Sequence, residues 1–222
     1  MLSDFESNQS GGSLSASLLS LLREDILKGR LVKGDKLAEQ RICTEYKVSR
    51  TPVREALKQL EIEGLIENIP NRGAFVVGFS PQDLQDIYEL RKVYEIIAVR
   101  WGIERITKTE LEQLEEAYEF MEFYTNKRDY SKMLNINAKF HELIYQSSHS
   151  RLLGQILSAY QIYIQQTREM SANVDDYLNE VLNEHREIYE SFLQKDVEKG
   201  VSAMARHLDN AKKRAKLVDG AK

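Results

Sequence analysis

Cysteine is almost missing from the 222-residue chain: Cys43 stands alone, which excludes an internal disulfide framework and fits a reducing compartment such as the cytoplasm. Its helix-patterned neighbours, Ile42 and Thr44, give it the reading of a small buried residue. Proline is scarce too, with Pro52, Pro70 and Pro81 the three occurrences. All fall in the first 81 positions, so little beyond Gln82 would break a helix. Long apolar runs are absent. The stretch from Tyr94 to Trp101 is interrupted by Glu95 and Arg100, far short of the ~20 apolar residues that cross a bilayer. There is no basic start followed by an apolar block. Asp4, Glu6 and then Gly11-Gly12-Ser13 predict no export signal and a flexible arm over Met1 to Ser13. An excess of positive charge is also missing. The net charge of −4 excludes a protein that coats nucleic acid by bulk electrostatics, but not one with a local basic surface.

What is there is enough oil for a core, 42% apolar residues against 30% charged, and enough length for two units of about 70 and 150 residues. The loss of prolines and most glycines after Phe79 to Pro81 places the boundary. The expected organisation is an arm at 1–13, a mixed helix-and-hairpin unit at 14–79 and an all-helical unit at 80–222. The fold class is therefore mainly α.

In the first unit, Leu18, Leu21, Leu22 and Ile26 recur at helical spacing within Leu14 to Lys28, and Gly29 is placed to end that helix. A second helix fits Ala38 to Tyr46. A third runs to Glu63 from Ser49 or Thr51, and Thr51 followed by Pro52 is the better start signal. Leu65 to Asn68 and Ala74 to Val77 flank the turn-rich Pro70-Asn71-Arg72-Gly73 and predict a hairpin. Helix, helix, helix, hairpin is the order of a winged helix-turn-helix. In the second unit weak turn points divide the chain into helices over Pro81 to Ile106, Lys108 to Lys127, Tyr130 to Ser147, Arg151 to Met170, Val174 to Leu193 and Asp196 to Leu217. Thr107 or Thr109 can cap the second. No repeat period is visible, so these helices form a bundle.

Arg50, Arg54 and Lys58 recur every four residues along the third helix, while Val53, Ala56, Leu57 and Leu60 occupy another face. One side packs and the other can enter a groove. Arginine there can bind guanine with two hydrogen bonds, Ser49, Thr51 and the helix amino terminus suit phosphate oxygens, and Arg72 at the hairpin tip can reach the adjacent backbone. The alternative is an ordinary solvated basic face. The runs Gly34-Asp35-Lys36-Leu37-Ala38-Glu39, Val48 to Leu57, Leu60-Glu61 with Gly64-Leu65, and Arg72-Gly73-Ala74-Phe75-Val76 resemble the GntR family of bacterial regulators. The resemblance implies operator contacts from Ser49, Arg50, Thr51 and Arg54 and a wing tip at Gly73. Where family members often carry an arginine in the second helix this chain has Gln40, with Arg41 one place later, so that contact is lost or moved.

The helical half is similar to the FCD domain of the FadR-like branch. That resemblance implies a buried metal site of an Asp and a His four residues apart plus two later histidines. Here the matching residues are Asn137, His141, His185 and His207. The residue pattern agrees: each histidine lies on an apolar stripe of its own helix, and three imidazoles on inward faces can converge on a divalent cation such as zinc or nickel. Singly, each would read as a core histidine. Asn137 is a neutral and weaker ligand than aspartate. His149, in a polar turn, reads as a surface residue. Arg91 matches a family position near the effector pocket and is the candidate clamp for a carboxylate; pairing with Glu95 four residues on is the other reading. Tyr160, Tyr163 and Tyr177 line a cavity or belong to the core.

Together these readings predict a DNA-binding transcription repressor and not an enzyme. It would act as a homodimer on a palindromic operator, with no membrane partner, and respond to a small carboxylate that the resemblance supplies. A metallohydrolase, which needs a separate carboxylate as base, and a bundle stabilised by zinc without a sensing role are the rivals.

Overall fold

The computed structural model describes residues 14–78, 80–158, 160 and 177–219. The expected arm at Met1 to Ser13, Tyr163, and the predicted helical stretches at 161–170 and 174–176 lie outside the described residues. The chain divides into two compact units, Met1–Pro81 and Gln82–Lys222.

In the first unit α1 spans Leu14–Leu27 and buries Leu18, Leu22 and Ile26 against α3. Helix α2 spans Glu39–Tyr46 and ends at Lys47, whose φ of 53° turns the chain sharply. Helix α3 spans Arg50–Ile62 and buries Val53, Ala56, Leu57 and Leu60, the apolar face that its spacing predicts. Of the two hydroxyls that could start it, the earlier one holds the cap position, two residues before Thr51, so Pro52 is the third helical residue. Ser49 occupies the cap position in extended conformation, and its side chain makes no cap hydrogen bond. Gly64, at φ +72°, ends the helix in a conformation that costs side-chain-bearing residues energy. Strands β2 (Ile66–Ile69) and β3 (Gly73–Val76) form the hairpin. A short strand β1, Lys36–Leu37, joins β3 on its other edge, giving the antiparallel order β1-β3-β2. Sequence reading missed β1, because two residues carry no alternation. Cys43 is half-buried and not fully buried as its neighbours suggest, since α2 buries chiefly Ile42 and Tyr46.

The second unit consists of α4 (Pro81–Arg105), α5 (Lys108–Asn126), α6 (Tyr130–Ser147), a helical segment at 151–158, α7 (Tyr177–Gln194) and α8 (Val197–Asp219). Thr107 caps α5 in a complete capping box with Glu110, and Asp129 caps α6. Phe140, Met133, Ile144, Phe192 and Met204 are fully enclosed in one core. Two glycines let the helices close on one another. A Cβ at Gly102 on α4 would stand 2.6 Å from Ser147 Oγ on α6, and one at Gly200 on α8 would stand 2.5 Å from Ile103 Cδ1 and 2.6 Å from Ser191 Oγ. No helix among the described residues is long and apolar enough to cross a membrane.

Candidate functional site

The first unit exposes cations on α3 and on the hairpin. Arg50, Arg54 and Lys58 lie in the open along α3, and Arg72 does so at the hairpin tip. Two of them are held from α2. Arg50 Nη2 donates to Gln40 Oε1 at 3.2 Å, and Arg54 Nε donates to both Glu39 oxygens at 3.1 and 3.0 Å. Gln40, the departure from the family pattern, thus holds Arg50. Arg41, one place later on α2, is exposed and lies 3.9 Å from Glu45. Arg72 lies over the Phe75 ring at 5.5 Å, and Lys36 approaches the same ring at 5.8 Å. Gly73, at φ +98°, has Lys36 beside it, so the tip is a place where backbone and cation come close. Between α3 and the hairpin runs a groove of about 580 Å³, lined by Lys36, Arg54, Lys58 and Arg72 together with Glu39 and Glu61. Ser49 and Thr51 are exposed at the start of α3, where helix amides and dipole attract anions.

In the second unit His141 on α6, His185 on α7 and His207 on α8 come together, with ligand atoms all within 4.8 Å of one another. They are 0%, 0% and 3% exposed, so three helices have committed core space to imidazole. Each ring's Nδ1 has an acceptor. His141 Nδ1 lies 2.8 Å from Glu95 Oε2, His185 Nδ1 lies 2.6 Å from the Val181 carbonyl, and His207 Nδ1 lies 2.8 Å from Glu184 Oε2. A carboxylate and a carbonyl can only accept, so the proton of each neutral ring sits on Nδ1 and the Nε2 lone pairs face inward. His141 Nε2 and His185 Nε2 are 3.2 Å apart, and His207 Nε2 is buried with no hydrogen-bond partner. Two bare lone pairs this close repel unless a proton or a metal cation lies between them. A tetrahedral zinc ion spaces its nitrogen ligands about 3.3 Å apart, so the residues fit a divalent metal. Asn137, one turn before His141, is 2% exposed and its Oδ1 also lacks a partner.

Burial pushes the His207 imidazole down to about 4 against the pull of Glu184, keeping it neutral and able to ligate at neutral pH. Burial disfavours charge on Glu95 and Glu184, but the arginine and histidine beside each overcome it and hold both carboxyls well below the ordinary range. Arg91 is 1% exposed and hydrogen-bonds Glu95 through Nε. The pairing reading is therefore present, inside the fold rather than on its surface. Its Nη2 remains buried without a partner, so a donor for an oxyanion is also present.

Glu95 and Glu184 were not singled out from sequence, because acids on amphipathic helices read as solvent-facing. The i, i+4 spacing of Arg91 and Glu95 was the one available signal for the first. Both Glu95 oxygens are taken by Arg91 and His141, on the outer side of the ring, which leaves it unsuited as a base for water among the Nε2 atoms. His149 is exposed, as expected, and meets Glu110 at 2.9 Å. Tyr160 stacks on Tyr94 at 6.1 Å, and buried Tyr177 lies under Arg214 at 5.2 Å.

Residues 14–76 match the bacterial regulatory proteins of the gntR family, and residues 86–210 match the FCD domain. The chain is 29% identical over 190 residues to the uncharacterized HTH-type transcriptional regulator YdhC of Bacillus subtilis, covering 85% of each. It is 25% identical over 195 residues to the HTH-type transcriptional repressor RspR of Escherichia coli, covering 88% of this chain and 86% of that one. The E. coli McbR/YncC structure shares its fold at a TM-score of 0.74 and 22% identity, over 93% of this chain and 98% of that one. With a helix-turn-helix and wing ahead of an FCD bundle, the chain belongs to the GntR family and is a DNA-binding transcriptional regulator.

Proposed function

We propose that this regulator is a homodimeric, cytoplasmic repressor whose grip on a palindromic operator is set by a small carboxylate bound at a metal centre in the helical unit. The observation that carries the reading is the set of three buried Nε2 atoms, with every Nδ1 already tied to an acceptor. A zinc or nickel ion held by His141, His185 and His207, with Asn137 Oδ1 as a further donor, would supply a Lewis-acidic position for one carboxylate oxygen. Arg91 Nη2 is the candidate donor to the other.

On the DNA side, Arg50 and Arg54 would read bases from the major groove. Ser49, Thr51 and Lys58 would hold phosphates, with Arg41 beside them, and Arg72 and Gly73 would bring the wing to the backbone. Two copies related by a twofold axis would place two α3 helices one helical turn apart on the duplex. A repressor's name among the relatives supports the sign of regulation.

The test begins with duplexes selected from a random library by the purified protein. Anisotropy titrations at fixed salt should show Arg50→Ala and Arg54→Ala weakening binding by roughly tenfold or more, the scale of one lost bidentate contact. A panel of small organic acids, each tried with zinc-loaded and chelator-stripped protein, should include one that changes affinity only in the loaded form. Unchanged affinity in both arginine variants would sink the DNA reading. If no acid acts while chelation lowers the melting temperature, the metal is a structural staple.

A further inference from the structure

Two side-chain chains of the same composition end on the histidine cluster from different helices. In the first, Arg91 on α4 hydrogen-bonds Glu95 Oε1, and Glu95 Oε2 accepts from His141 Nδ1 at 2.8 Å. In the second, Arg214 on α8 holds Glu184 with Nη1 on Oε1 at 2.9 Å and Nη2 on Oε2 at 2.8 Å, and Oε2 accepts from His207 Nδ1 at 2.8 Å. Asn210 Nδ2 adds a bond to Glu184 Oε1 at 2.8 Å. His185 needs no such chain, because the Val181 carbonyl one turn back on its own helix accepts from it at 2.6 Å.

The geometry points to Glu95 and Glu184 as positioning residues that fix the tautomers of His141 and His207, so that a cation finds three bare Nε2 atoms. Each carboxylate is matched by one guanidinium, so the two relays add no net charge. Their contribution is directional. Without an acceptor at Nδ1 a histidine side chain carries its proton mainly on Nε2, the atom that must ligate, and such outer partners change metal affinity by roughly 10–100-fold. The neutral Asn137 is consequently not compensated in charge; the site instead gains affinity from rings that need no proton shift before binding.

This inference rests on reading the cluster as a cation site, and its test separates the two. Arg214→Met/Glu184→Leu and Arg91→Met/Glu95→Leu remove each relay as a matched pair, which avoids stranding a buried guanidinium. The corresponding Arg→Met/Glu→Gln pairs restore an oxygen that can accept from Nδ1. Nitrogen-15 NMR of the metal-stripped full chain at neutral pH should show both wild-type rings protonated at Nδ1. The Leu pairs should move the affected ring to the Nε2 form, and the Gln pairs should return it. Zinc affinity by competition with a chelating dye should fall about 10–100-fold in the Leu pairs and recover in the Gln pairs. Wild-type rings protonated at Nε2, or Leu pairs with the wild-type tautomers and zinc affinity, overturn the inference. A wild type that ignores zinc while its tautomers behave as described overturns the metal reading alone.

Discussion

Replacing Asn137 by aspartate adds a negative charge one helical turn from His141, where Oδ1 is already buried without a partner. Zinc affinity should rise on the order of tenfold, because ligand charge sets the affinity of a cation site; an unchanged affinity in the dye competition would remove Asn137 from the ligand set. On the other unit, Lys58→Ala should weaken DNA binding equally for all sequences and lower the slope of log affinity against log salt by about one, as expected when one phosphate contact is lost. A loss confined to one operator base would assign Lys58 to base reading. The cationic stripe was legible because its spacing is one that a helix turns into a face. Each histidine likewise lies on an apolar face of its own helix, but the grouping of the three with Asn137 came from the resemblance to the FCD domain. Glu95 was not legible, because its enclosure depends on His141, 46 residues away. Cys43 was misread because an apolar neighbour and a helical pattern say nothing about how tightly the facing element closes.

At the level of helices and strands, the close approach at Gly200 makes a sharp expectation. Gly200→Ala should cost ~1–3 kcal/mol by overpacking, despite alanine's better helix propensity, and urea denaturation will show whether the sign is right. The capping box of α5 should be worth ~1 kcal/mol, read as the loss in Thr107→Ala. That contribution depends on acid. Burial is the largest single influence on the Glu110 carboxyl and lifts it, but the Thr107 N–H, its hydroxyl and His149 together outweigh burial and hold the group below its ordinary value. Its stabilisation is therefore fully present above the unfolded value near 4.5 and lost as pH falls through the folded one. Glu110→Gln should lower stability at pH 7 and have a shrinking effect towards pH 3. Helix bodies and the hairpin were legible from breakers and apolar spacing. Strand β1 was not, because it exists only by pairing with β3, Lys36 to Phe75. The start of α3 falls at Ser49, the other of the two hydroxyls that the sequence offers, and not at Thr51, because the amides of the first turn have no partner inside the helix and Pro52 fits there as its third residue.

For the molecule as a whole, two units with separate cores should melt separately, and zinc should raise only the transition of the helical unit. A ligand that binds the native state alone stabilises it by about 2.7 kcal/mol at a hundredfold excess over Kd. Chelation should reverse the shift in calorimetry, and a zinc-dependent shift of the DNA-binding unit would show coupling between the two. The division into a mixed and an all-helical half follows from where proline and glycine stop, a compositional signal that needs no tertiary information. One property of the winged unit follows from its strand order. The chain leaves that unit through β3, the middle strand, and is pinned on both flanks where it leaves, by Val76 N–H on Asp35 O at 2.9 Å and, just past the strand, by Val77 N–H on Leu65 O at 2.9 Å. Tension arriving through the following residues would load both flanks in shear at once, instead of peeling an edge bond by bond. The headpiece would then be towed as a rigid body, and a small pull on that tether would reorient α3 before it frayed the sheet.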